Sequence, residues 1–285
     1  MPLISRLQQF SLECAATPGG EVQFRRACSP GYTGPVTHVL LHGIGSSSAS
    51  WLAQLLQVHT SACPASHILA WDAPGYGEST PLPMDTPCAA DYAARLWAWL
   101  DAAGVDARSP VTVVGHSLGA LMASCAAALA PERVARLFLL APAQGYARAA
   151  PALRAQKLND RLANLELMGP AGMAKQRAAA MLSPGAALAQ VAFVEHVMAG
   201  IHPHGYTQAA RMLADGDVAA DLARVSCPVL VASGSADTIT PPKGCAALAA
   251  SIGAPYVSLG EVGHTCALEA AAQVNTLIGL DGGKP

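Results

Sequence analysis

Val111-Thr112-Val113-Val114-Gly115-His116-Ser117-Leu118-Gly119-Ala120-Leu121-Met122-Ala123 is the stretch on which the fold turns. Its first four residues are all β-branched and nearly all apolar, the signature of a strand buried on both faces. From Leu118 to Ala130 the chain is rich in Ala and Leu and reads as a helix. Between them Gly115-His116-Ser117-Leu118-Gly119 must carry the backbone from strand to helix through a tight turn. Crowding in such a turn demands small residues two before and two after its centre, which accounts for Gly115 and Gly119. The Ser117 hydroxyl is then lifted out at the sheet edge. The helix N-terminus adds its positive dipole and its unsatisfied N–H groups, that of Leu118 foremost. A surface turn using Gly for flexibility would leave the His-Ser pair and the helix after it without a reason.

Working outward, similar short apolar runs recur at Val36 to Leu41, His67 to Trp71, Val134 to Leu140, Val229 to Ala232 and Tyr256 to Leu259. Being continuous rather than alternating, they predict strands of a parallel sheet covered on both sides. Helical spacing fills the gaps at Ser50 to His59, Ala90 to Ala103, Lys243 to Ser251 and Ala267 to Leu277. At the N-terminus Phe10 to Cys14 and Val22 to Arg25 alternate around Pro18-Gly19-Gly20, which predicts a hairpin. The class is therefore α/β, a mostly parallel doubly wound sheet. One segment departs from the alternation. Residues 144–224 hold only helical patterns, punctuated by Gly169-Pro170, Pro184-Gly185 and His202-Pro203. They predict a helical cap inserted after the sixth strand, dividing a core of residues 1–143 and 225–285 and lying above the carboxyl ends of the strands, where open α/β sheets bind ligands.

Composition narrows the function. Of 285 residues 52% are hydrophobic and 13% charged, the mean hydropathy is +0.32 and the formal charge is −2. Disorder is excluded, and with no basic excess nucleic acid is not an expected partner. No apolar run approaches the roughly 18–20 residues of a membrane span, so no membrane partner is expected. Met1 to Thr17 lacks the continuous apolar stretch of a secretory leader. The eight cysteines form no C-x-x-C pair and read as reduced thiols of a cytoplasmic protein; Cys125 and Cys266 read as small apolar packers.

A serine hydroxyl needs a base, and the base an orienting group. His264, in Gly260-Glu261-Val262-Gly263-His264 after the last strand, is the candidate base. Asp237, in Gly234-Ser235-Ala236-Asp237 after the run ending at Ala232, is the candidate acid. Both lie after carboxyl ends of strands, in the order Ser, Asp, His. Glu261 is too near His264 in sequence, and Asp72 precedes the serine.

On these residues the chain resembles the α/β-hydrolase fold superfamily over nearly its whole length. His42-Gly43-Ile44-Gly45 is similar to the family's His-Gly loop, which implies that the N–H of Ile44 joins that of Leu118 in an oxyanion hole. Asp72-Ala73-Pro74-Gly75-Tyr76-Gly77-Glu78-Ser79 is similar to the family's D-x-x-G-x-G-x-S loop and reads as structural. Gly205-Tyr206, Asp221-Leu222 and the run Pro228 to Pro242 resemble cap-bearing 3-oxoadipate enol-lactonases and hydrolases of ring-cleavage products. Gly43-Ile44-Gly45-Ser46 in place of S-G-P-G, and Leu118 where Met is frequent, favour an ester or lactone.

The resemblance implies a serine hydrolase acting through an acyl-enzyme, with no metal or organic cofactor. C–C hydrolysis of a vinylogous diketone, acyl transfer to another acceptor, and a ligand receptor reusing the fold are the alternatives. The expected partner is a small ester, lactone or diketone, and self-association into a homo-oligomer is left open. The cap carries eight Lys and Arg against six Asp and Glu, the remainder nine against thirteen, which favours an anionic substrate. Residues expected around it are His42, Gly43, His116, Arg148, Arg154 and Tyr206, with Lys157 and Arg177 as further cationic candidates. Of these His42 is expected to brace its loop and His116 to pack. His202 and His204 read as a loop pair, and Trp51, Trp71, Trp97 and Trp99 as packing residues.

Overall fold

The computed structural model describes residues 2–61 and 64–282; Met1 and Cys63, one of the eight cysteines, lie outside the described residues. The strands are β1 (Leu12–Thr17), β2 (Gly20–Cys28), β3 (His38–Leu41), β4 (His67–Trp71), β5 (Val111–His116), β6 (Val134–Leu140), β7 (Val229–Ser233) and β8 (Tyr256–Ser258). They form one sheet in the order β1-β2-β4-β3-β5-β6-β7-β8. The β1–β2 hairpin and the β2–β4 pair are antiparallel, and every pair from β4 to β8 is parallel. The helices are α1 (Leu3–Leu7), α2 (Leu52–Thr60), α3 (Ala89–Ala102), α4 (Gly119–Leu129), α5 (Pro151–Arg177), α6 (Leu188–Ala199), α7 (Pro203–Asp215), α8 (Val218–Leu222), α9 (Pro242–Ser251), α10 (Cys266–Glu269) and α11 (Ala271–Ile278).

Alternate side chains of one strand enter opposite cores, which is why the runs are continuous in sequence. Val39, Leu41, Leu69, Trp71, Val113, Leu137 and Leu139 pack with Tyr92, Leu96 and Trp99 of α3 and Leu121 and Met122 of α4. Leu40, Ile68, Ala70, Val114, Phe138 and Leu140 face Leu52 and Leu55 of α2 and Val274 and Leu277 of α11. The buried Trp51, Trp71 and Trp99 join these cores, while Trp97 is half-buried with Arg133 stacked 4.5 Å above its ring.

Between β6 and β7 the described residues form helices and no strand. Here α5 is not one rod: Gly169 takes φ 60, ψ 177, the left-handed side of backbone space that glycine tolerates, and Pro170 follows. The expected helix over Ala267 to Leu277 is also divided, at Ala270. Its first turn is drawn aside by Glu269, whose carboxylate accepts from Gly263 N–H at 2.8 Å and from Ser183 N–H at 3.0 Å. Among the described residues no helix is long and apolar enough to cross a membrane.

Candidate active site

The register of the parallel strands aligns Leu41 with Gly115, His116 with Leu140, Leu140 with Ala232, and Ser233 with Ser258. Whatever follows those positions emerges at one edge of the sheet. Ser117 directly follows β5, Asp237 follows β7 and His264 follows β8.

Ser117 has φ 52, a left-handed conformation for a non-glycine residue. Its N–H donates to Leu140 O at 3.0 Å and its carbonyl accepts from Ala143 N–H at 3.1 Å, so the strained turn is bolted to the end of β6. The glycines beside it have no room for a side chain. A Cβ on Gly115 would stand 2.5 Å from Gly119 O, and one on Gly119 would overlap Leu41 O and lie 2.8 Å from His42 O.

His264 Nδ1 lies 2.9 Å from Asp237 Oδ2, with both side chains buried. Asp237 is held in turn: Oδ1 accepts from the N–H groups of Ile239 and Thr240 at 2.8 and 3.0 Å, and Oδ2 lies 2.8 Å from the Thr240 hydroxyl. Burial pushes this carboxyl up, but the hydrogen bond to His264, its charge and the Thr240 contacts outweigh burial. The net is a pKa below the usual carboxylate value. Thr240, 3.2 Å from His264 Nδ1 through its hydroxyl, had no sequence motif to announce it.

The loop after β3 is set by His42. Ala73 N–H donates to its Nε2 at 3.0 Å, so the neutral ring carries its proton on Nδ1, which donates to Gly43 O at 2.8 Å. Burial holds this ring neutral. Gly43 O and Ile44 N–H belong to one peptide, so His42 fixes the direction of that N–H. The Tyr76 hydroxyl holds the next carbonyl, Ile44 O, at 2.8 Å. The N–H groups of Ile44 and Leu118 donate to no acceptor among the described residues.

Ser117, His264, Ile44 and Leu118 line one cavity of about 280 Å³. Gly43, His116 and Tyr206 also line it, whereas His42 does not. His116 donates from Nε2 to the backbone carbonyl of His264 at 2.8 Å, and its ring lies 4.9 Å from that of His264. Burial, then the neighbouring His264, pushes its pKa down to about 3. Trp51, expected only as packing, reaches the cavity and meets His116 edge-on. Gly205, in the first turn of α7, is in backbone contact with Gly75 of the Asp72–Ser79 loop, an approach that any Cβ would block, and so sets Tyr206 in place.

Three expectations are corrected: His42 stands outside the cavity because its ring is turned to Ala73 N–H and Gly43 O, and so do two arginines. Arg148 and Arg154 do not line the cavity, because carboxylates of the same helical segment take them. Arg148 Nε lies 2.7 Å from Asp217 and Arg154 Nη1 lies 3.4 Å from Asp215. Arg177, a further candidate, does line the cavity, and so does Arg161, which sequence reasoning passed over. His202 and His204 are exposed, and no group of three metal-ligating side chains occurs among the described residues. The seven described cysteines are free, and burial pushes the thiols of Cys125 and Cys266 up to about 12.

A profile of the alpha/beta hydrolase family matches residues 39–277. Among curated proteins, the pimeloyl-(acyl-carrier protein) methyl ester esterase of Photobacterium profundum is 31% identical over 212 residues, 72% of this chain and 78% of that protein. The (E)-2-((N-methylformamido)methylene)succinate hydrolase of Acinetobacter baylyi is 28% identical over 206 residues, 70% of this chain and 72% of that one. Among solved structures, the enol-lactonase from Burkholderia xenovorans LB400 superposes with a TM-score of 0.79 at 20% identity, covering 94% of this chain and 99% of its own; this is a likeness of fold.

Proposed function

The chain belongs to the alpha/beta hydrolase family, and from that premise we propose that it is a serine hydrolase that opens a small carboxylic ester or lactone through an acyl-enzyme on Ser117. Ser117 Oγ attacks the carbonyl carbon as His264 takes its proton. Asp237 keeps the His264 proton on Nδ1 and stabilises the imidazolium that forms. The N–H groups of Ile44 and Leu118 receive the negative oxygen of the tetrahedral intermediate. His264 then delivers its proton to the leaving oxygen, activates water against the acyl-enzyme, and Ser117 is restored as the acid departs. Residues 144–224 act as a cap domain over a core of residues 1–143 and 225–285; Met173, Phe193 and Tyr206 from this segment face the cavity.

The observation that carries the reading is the oriented imidazole: a ring tied to Asp237 at 2.9 Å lines the same cavity as a serine held at positive φ. The N–H groups of Ile44 and Leu118 support it, since both residues line the cavity and neither N–H has an acceptor among the described residues. A cavity of about 280 Å³ stands at the low end of ligand pockets and suits a small substrate. The test is Ser117→Ala on short esters, with phosphonate labelling of the unaltered protein. Loss of about 10⁴ or more in kcat is expected, together with labelling at Ser117. Near-normal turnover by Ser117→Ala would overturn the assignment.

A further inference from the structure

The cap has six arginines, and their partners differ in a way that bears on the cavity. Arg148, Arg154 and Arg224 pair with Asp217, Asp215 and Asp221, and Arg211 donates to Asp85 O. Arg161 and Arg177 have neither an ion pair nor a hydrogen bond among the described residues, and these are the two that line the cavity. Among the described residues no Asp or Glu lines it. Arg161 lies 5.8 Å from the centre of the Tyr146 ring, a contact that leaves guanidinium N–H edges free. Tyr206 lines the cavity with both arginines, and their charges oppose the upward push of burial on the pKa of its hydroxyl.

Their convergence is built. Arg161 and Arg177 are sixteen residues apart on α5. On an unbroken helix that spacing means about 24 Å along the axis and nearly opposite faces, roughly 160° apart. The break at Gly169, φ 60, turns the second half so that both side chains reach one space. No side chain crowds Gly169, so its left-handed backbone, not packing, is what calls for glycine there. Two half-buried arginines lining a cavity without a counter-charge are a cost that an incoming anion relieves.

We infer that Arg161 and Arg177 form a carboxylate subsite of the cavity, so that the substrate is a small ester or lactone bearing a free carboxylate away from the bond that is cleaved. This inference rests on the serine-hydrolase reading. Two planar forks favour a carboxylate over a diffuse anion, and the Tyr206 hydroxyl is a third donor.

The experiment compares kcat/KM for monomethyl and dimethyl esters of unbranched four- to eight-carbon diacids in the unaltered protein, Arg161→Gln/Arg177→Gln and Arg161→Lys/Arg177→Lys. Calorimetry of the free diacids on Ser117→Ala, with and without the Gln pair, measures the subsite apart from turnover. The half-ester is expected to be preferred at least about tenfold at one chain length. The ratio should fall to one or below in the Gln pair and be partly kept in the Lys pair, and diacid binding should vanish with the Gln pair. A ratio near one at every length, or no diacid binding, with Ser117 still labelled by phosphonate, overturns the subsite and leaves the serine reading standing. Preference for a phosphate-bearing ester of equal length overturns its carboxylate identity. Arginine-dependent diacid binding without turnover of any ester upholds the subsite and overturns the serine reading.

Discussion

Gly119→Ala tests whether the turn around Ser117 is as closed as its geometry requires. The new methyl would overlap Leu41 O and lie 2.8 Å from His42 O. Both are backbone atoms at the end of β3, so no rotamer change relieves the contact. Either α4 retreats or the loop bearing Gly43 and Ile44 does. Residues Gly119 to Ala127 are all buried, so a retreat of α4 opens gaps along its length. Overpacking costs about 1–3 kcal/mol, and a contact with backbone on two sides belongs at the upper end. The better helix propensity of Ala returns up to about 1 kcal/mol. The net is about 2 kcal/mol, a fall in Tm of about 4–8 °C at 2–4 °C per kcal/mol. A thermal melt followed by near-UV circular dichroism reads the stability, and the rate of phosphonate labelling reads Ser117. Gly43→Ala is the control. Its Cβ would meet Ser117 Cβ at 3.1 Å and His116 Nδ1 at 3.3 Å, so labelling should slow while the melt moves little. A Gly119→Ala protein that melts within 1 °C of the parent, by the same ~2–4 °C per kcal/mol scale, and labels at the parent rate would refute the reasoning.

Acid should act through His116. Its folded pKa of about 3 lies below the unfolded value of about 6.5, so the unfolded chain takes up the proton first, and stability falls as pH drops from about 6.5 toward 3. The slope is up to ~1.4 kcal/mol per pH unit for this one group. Denaturant melts at pH 7, 6, 5 and 4 should show His116→Gln losing stability more slowly, by nearly one proton; parallel curves would sink the prediction. Glu269→Ala leaves Gly263 N–H and Ser183 N–H without their acceptor. It should cost about 1–3 kcal/mol and lower kcat more than it raises KM, since His264 is loosened; an unchanged kcat with lower stability would show Glu269 to be structural only.

The strands were legible because each feeds two cores at once, which makes Leu137 to Leu140 or Ile68 to Trp71 apolar at every step. Breaks in the helical segment were legible because Gly169-Pro170 and His202-Pro203 carry their backbone restrictions in the residue type. The partners of the arginines were not. Arg148 and Arg161 look alike in sequence, and which one meets an aspartate depends on where the later turn at Asp215 to Asp217 is brought. Ala141, at φ 45 just after β6, is likewise silent: an alanine gives no sign of positive φ. Its carbonyl lies 3.0 Å from the Thr240 hydroxyl, beside Asp237. Glu269 reads as an ordinary acidic residue of a terminal helix until the fold brings Ser183 to it.

That last contact has a consequence for how the protein can change over generations. Met181 O accepts from Thr265 N–H at 2.9 Å and Ser183 is held by Glu269, so the residues on either side of His264 are moored to the far end of the segment that begins at Pro151. Drift in residues 179–185 disturbs the imidazole directly. Drift before Gly169, around Arg161, does not touch those moorings. Lineages that acquire new substrate preferences while keeping their turnover should therefore have varied first between Pro151 and Met168.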